Sequence, residues 1–140
     1  MLTRDDDAVL RSVAPDVFDH AVSPAFASEF LRDPRHHLAV AIDQDIVIGF
    51  ASAVHYVHPD KPPELWINEV GVAESHRRKG LARQLLLLLF DLARSLGCRH
   101  AWVLTDRANP SAANLYSSMP GATPPSEPLL FEFDLEVLNA

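Results

Sequence analysis

The stretch that most constrains this chain is "LWINEVGVAESHRRKGLARQLLLLLFDLARSLG", residues 65–97. It opens with a run that is apolar on both faces, the pattern of a central strand. Arg77, Arg78 and Lys79 then lead into Gly80. A long helix follows from Gly80 to Leu96, and Gly97 supplies the stop signal. "CRHAWVLT" reads as the next strand, so the unit is strand, helix, strand, a right-handed parallel crossover.

The remaining segments fit around this unit. Asp5–Val13 reads as a first helix with its acids at the N-terminal end. A second starts at Ser23 as N-cap with Pro24 at the first position. "HHLAVAID" and "DIVIGFASAVHYV" form a hairpin with strands near 37–42 and 46–57. "HPDKPPE" is a loop whose prolines suit no central strand. Asn109 and Pro110 open a short helix, "PGATPPSEP" is a loop, and "LLFEFDLEV" alternates like a half-exposed last strand. The expected fold is α/β, a mixed sheet flanked by helices, in one domain over residues 1–140.

The basic loop has a physical use. A helix N-terminus presents unpaired N–H groups and a partial positive charge. A glycine lets a ligand approach the backbone, so strand, glycine and helix make an anion site. Ala82 is small enough not to block the first turn, and Arg83 adds a cation. The loop is basic in a chain of net charge -7. That balance argues against a nucleic-acid partner, which needs a basic face, and favours a cationic substrate.

Arg77-x-x-Gly80-x-Ala82 between strand and helix, followed by Asn109-x-x-Ala112-x-x-Leu115-Tyr116, resembles the GNAT superfamily of N-acetyltransferases. The resemblance spans roughly residues 36–135. It implies acetyl-coenzyme A as cofactor, its pyrophosphate on the N–H groups of the loop from Arg78 to Ala82, Lys79, Gly80 and Leu81 included, with Arg77 and Arg83 also binding the cofactor. It implies a pantetheine arm paired with Val70, Gly71 and Val72 like an added strand, with Gly71 leaving room. Asn109, Ala112 and Tyr116 would face the arm's reactive end, and Tyr116 would be the acid that protonates the thiolate. The base would be Glu69, in the third strand, or Asp106, at the end of the next.

The stretch is further similar to short aminoglycoside 3-N-acetyltransferases. Their "E-H-R-R-Q-G-I-A" corresponds to "S-H-R-R-K-G-L-A", and their closing "H-F-D-I-D" to "EFDLE". This implies an aminoglycoside acceptor, with Glu69, Asp106, Glu132 and Asp134 as substrate-binding acids, and a homodimer joined through the last strand. The sequence departs from the group at Glu69, where an aspartate is usual, and at Asn109 and Pro110, where an acidic pair is usual. Those departures leave open another small amine, a polyamine, a protein amine, or a coenzyme A-binding module without catalysis.

No cysteine or histidine pattern has metal-ligand spacing, so no metal is expected. One cysteine, Cys98, permits no intrachain disulfide. The acidic start lacks the form of a signal peptide, and no apolar run approaches a membrane span. The expectation is a cytoplasmic protein with no membrane partner.

Overall fold

A computed structural model describes residues 1–137. After a 3-10 turn at Asp7–Arg11, helix α1 spans Pro24–Arg32. Strands β1, His36–Asp43, and β2, Ile46–Tyr56, form the hairpin. Strand β3, Glu64–Val72, is followed by helix α2, Leu81–Ser95. Strand β4, His100–Val103, and helix α3, Pro110–Ser117, complete the described elements. The sheet order is β1-β2-β3-β4, with β3 and β4 parallel and the other pairs antiparallel.

The hairpin closes on Gln44 and Asp45, at φ 48° and 63°. Positive φ at both central residues is the type I′ geometry, whose twist matches the flanking strands. Asn109 caps α3 through its side chain, which accepts from Ala112 N at 3.1 Å, with Pro110 next in line.

Each face of the sheet is buried by a different element. Ala39, Ala51, Ala53, Leu65 and Ile67 face α2 and pack on its Leu85, Leu86 and Leu89. The helix buries these leucines at spacings of three and four, the stripe its sequence dictates. Leu38, Ile48 and Phe50 face the other way, onto Leu10, Ala27 and Leu31.

Two features of the sheet position the site. A bulge between β2 and β3 pairs Ala53 with Ile67 but Ser52 with Glu69, leaving Asn68 as the extra residue. Pairing of β3 with β4 ends at Ile67 and Val103, while β3 runs on to Val72. The two parallel strands therefore part beyond Ile67, and among the described residues no strand covers the β4-facing edge of β3 there.

Three expectations are corrected. The first helix is only a five-residue 3-10 turn. The strand expected at "CRHAWVLT" shortens to four residues. The expected last strand, residues 129–137, is not formed; Leu129, Phe131, Phe133 and Leu135 stand 82%, 74%, 81% and 68% exposed. Alternation confers strand structure only where a sheet supplies partners and a face to bury. Here Pro120, Pro124, Pro125 and Pro128, which lack donors, carry the chain away from the sheet. The edge that the homodimer argument invoked is absent with that strand.

Candidate active site

The end of β3, the start of α2 and the α3 segment enclose a cleft of about 820 Å³. Its wall on the β3 side is Glu69, Val70, Gly71 and Val72. Its phosphate end is Arg77, Arg78, Gly80, Leu81, Ala82 and Arg83. Asn109, Ala112 and Tyr116 of the α3 segment line the far side. Three separate segments of the sequence thus converge on one cleft.

The loop before α2 is built for an anion. Arg78 and Gly80 take left-handed conformations, φ 61° and 76°. Alternating such residues turns successive N–H groups toward one concavity. Gly80 is the N-cap of α2, and no side chain caps the helix. The first-turn N–H groups of Leu81, Ala82 and Arg83 have no intrahelical acceptor. A Cβ at Gly80 would meet nothing within 4 Å, so the space above the helix mouth is open. A pyrophosphate fits these donors.

The cations divide their roles. Arg77 Nε donates to Val72 O at 3.0 Å, tying the loop to the end of β3. Arg83 donates to Ser118 O at 2.9 Å, joining the mouth of α2 to the end of α3. Arg78 lines the cleft and makes no ion pair among the described residues. Lys79 does not line the cleft and is exposed.

Gly71 has a different reason from the one expected. A Cβ there would lie 2.4 Å from Val17 O and 2.7 Å from the Phe50 ring. The missing side chain makes room for the N-terminal segment.

The candidate catalytic groups separate. Tyr116 is partly buried and packs against the α2 core, and burial pushes its phenol above the ordinary tyrosine range. It therefore holds its proton at neutral pH. Glu69 is exposed in the cleft, directly across from Ser52, whose buried hydroxyl has no hydrogen-bond partner among the described residues. Asp106 does not line the cleft; its Oδ1 accepts from Ala108 N at 2.7 Å and so shapes the turn into α3. Glu132 and Asp134 lie on the exposed tail and are not brought to the cleft.

The structure adds acids that sequence reasoning passed over. Asp16 and Asp19 line the cleft from the N-terminal segment, and Asp16 Oδ2 accepts from Glu74 N at 2.6 Å. The Asp16–Glu74 bond joins residues 58 apart in sequence, so no local pattern marks it.

Comparison with known proteins agrees with this geometry. The chain belongs to the acetyltransferase (GNAT) family, which it matches over residues 7–119. It is 33% identical over 87 residues to a streptothricin acetyltransferase of Streptomyces lavendulae, covering 62% of this chain and 44% of the relative. It is 32% identical over 90 residues to an uncharacterized N-acetyltransferase, YycN, of Bacillus subtilis, covering 61% of this chain and 55% of that one. The chain thus spans about half the length of these curated relatives. Among solved structures, an aminoglycoside acetyltransferase from an uncultured soil metagenomic sample, in complex with sisomicin, has the same fold. Its TM-score is 0.79 at 15% identity, over 96% of this chain and 93% of the other. The aminoglycoside N-acetyltransferase AAC(6')-Iy, in complex with CoA, aligns at TM-score 0.73 and 22% identity, over 96% and 91%. Acetyl-coenzyme A is the family's cofactor, and the donors at the mouth of α2 suit its pyrophosphate.

Proposed function

We propose that this protein transfers an acetyl group to a primary amine of a small polycation of the aminoglycoside type. The observation that carries the proposal is the joining of three features in one cleft: an uncapped helix mouth, an unpaired β3 edge and Tyr116. Bound acetyl-coenzyme A supplies the activated acetyl group. The N–H groups of Leu81, Ala82 and Arg83 hold the pyrophosphate, with Arg78 adding charge. The free edge of β3 around Val70 pairs with the pantetheine arm by adding hydrogen bonds along the strand.

An ammonium has no lone pair, so the acceptor must first lose a proton. Glu69, exposed in the cleft, takes it directly or through one water. Tyr116 Oη holds the proton that the departing sulfur requires. The acids Asp16, Asp19 and Glu69 line one cleft and favour a cationic acceptor. The motif resemblance favours the 3-amino group of a gentamicin-type acceptor, in a single cytoplasmic domain over residues 1–140. The relative named for streptothricin supports the wider class of cationic antibiotics. A homodimer belongs to this reading too, through the outer edge of β4, which no described strand covers.

The test is thiol release from acetyl-coenzyme A against gentamicin- and kanamycin-type aminoglycosides, streptothricin, spermidine and short peptides. Saturable release with a cationic antibiotic is the expected result. Silence across the panel, with coenzyme A still bound, overturns the proposal.

A further inference from the structure

The chain has two tryptophans, and the fold places them side by side. Trp66 on β3 and Trp102 on β4 are register partners. Their rings lie 5.4 Å apart at 11°, a stacked pair. Trp66 alternates with Leu65 and Ile67, which face α2, so the pair stands on the opposite face of the sheet. Glu69 stands on that same face, because it pairs with Ser52 and Ser52 alternates with Ala51 and Ala53. With the bulge at Asn68 between them, Trp66 and Glu69 lie opposite Val54 and Ser52, two residues apart on β2, about 7 Å at the usual rise of a strand.

The pair is held in place from below. Trp102 Nε1 donates to Tyr56 Oη at 2.7 Å, and Tyr56 Oη donates to Glu64 Oε2 at 2.8 Å. The indole plane is fixed by this chain, yet Trp102 remains 37% exposed. A large aromatic surface that is hydrogen-bonded at its polar edge and still partly exposed has area left for a ligand. Directly across from Glu69, the buried Ser52 hydroxyl has no partner among the described residues, a further group in want of a ligand or water.

The geometry points to this indole pair as the platform that selects the acceptor: it binds a second cationic group of the substrate, preferably a flat guanidinium, while the reacting amine reaches Glu69. This rests on the acetyltransferase reading. The ring face attracts cations, and a guanidinium also stacks on it. The acceptor class is therefore an amine with a second cation several bonds away. Monoamines lack the group that the platform reads.

Agmatine, putrescine and n-butylamine test this. They share a four-carbon chain and a primary amine and differ in the far group, a guanidinium, an ammonium or a methyl end. All tryptophan emission arises from the pair, so binding is read directly by fluorescence in the presence of coenzyme A, without turnover. Agmatine is expected to perturb the emission at the lowest concentration and butylamine at the highest, about tenfold or more apart. In acetylation the same order is expected in kcat/KM, carried by KM. Trp102→Leu should erase the order, and Trp102→Phe should retain part of it, with coenzyme A affinity and thermal stability reporting that both variants are folded. Equal responses to the three amines, or an order unchanged in Trp102→Leu, overturn the platform even if acetylation proceeds. Ordered fluorescence responses without acetyl transfer to any of the three amines leave a cation site and overturn its role in selecting the acceptor, whereas silence across the antibiotic panel is what overturns the acetyltransferase reading.

Discussion

His37 Nε2 and His55 Nδ1 lie 2.7 Å apart on adjacent strands, their rings stacked at 5.0 Å. One nitrogen must donate and the other accept, so the pair is satisfied only while at least one ring is neutral. Burial, then the charges of His55 and His36, push His37 from 6.5 down to about 4. A folded pKa below the unfolded one means that the unfolded chain binds the proton first. Stability is therefore lost as pH falls from about 6.5 to about 4. The half-buried setting limits the loss to the order of 1–2 kcal/mol after solvent screening. Thermal melts should show the midpoint falling through this window, and His37→Phe should flatten that fall. Equal slopes in both proteins would remove the pair from the account.

Glu69 and Asp106 give opposite expectations. Glu69→Gln removes the acceptor of the amine's proton and is expected to lower kcat/KM by about 10²-fold or more. Asp106→Asn keeps an oxygen able to accept from Ala108 N and is expected to leave kcat/KM nearly unchanged. Initial rates across pH decide. The reverse result would make the end of β4 the catalytic side of the cleft.

Tyr116→Phe deletes one oxygen and leaves the ring packed against the α2 core. Turnover is expected to drop about 10²-fold, with the coenzyme A dissociation constant within a factor of two or so. Calorimetry and steady-state kinetics separate the two. Unchanged turnover would reduce Tyr116 to a packing residue.

The parts legible in the sequence were those with local causes. The leucine stripe of α2 and the proline-led caps of α1 and α3 carry their own signals. The glycine at the helix mouth was legible because φ 76° is a demand of the turn itself. What escaped was set by distant partners. Residues 129–137 have the alternation of a strand and no sheet to join. Asp106 looks like a free carboxylate at a strand end and is occupied by its own turn. Arg83 belongs to the loop in sequence and holds the end of α3 in space. Trp66 and Trp102 acquire meaning only once β3 and β4 are paired in parallel.

Gly71 and Gly80 line the same cleft and should fail in different ways. At Gly71 a methyl group would sit 2.4 Å from Val17 O, a backbone atom that cannot swing aside. Gly71→Ala must push the N-terminal segment off β3, at a cost of about 1–3 kcal/mol or more. Asp16, which holds Glu74 N at the start of the phosphate loop, moves with that segment. Gly80 meets nothing within 4 Å, so Gly80→Ala costs only its left-handed backbone, about 1–2 kcal/mol. Gly80→Glu adds a carboxylate over the donors of α2 and is expected to abolish coenzyme A binding at a similar cost in stability. Urea unfolding paired with calorimetric binding reads both quantities. Gly71→Ala should shift unfolding the most, and Gly80→Glu should lose the ligand while still folded. Full affinity in folded Gly80→Glu would place the pyrophosphate somewhere other than the mouth of α2.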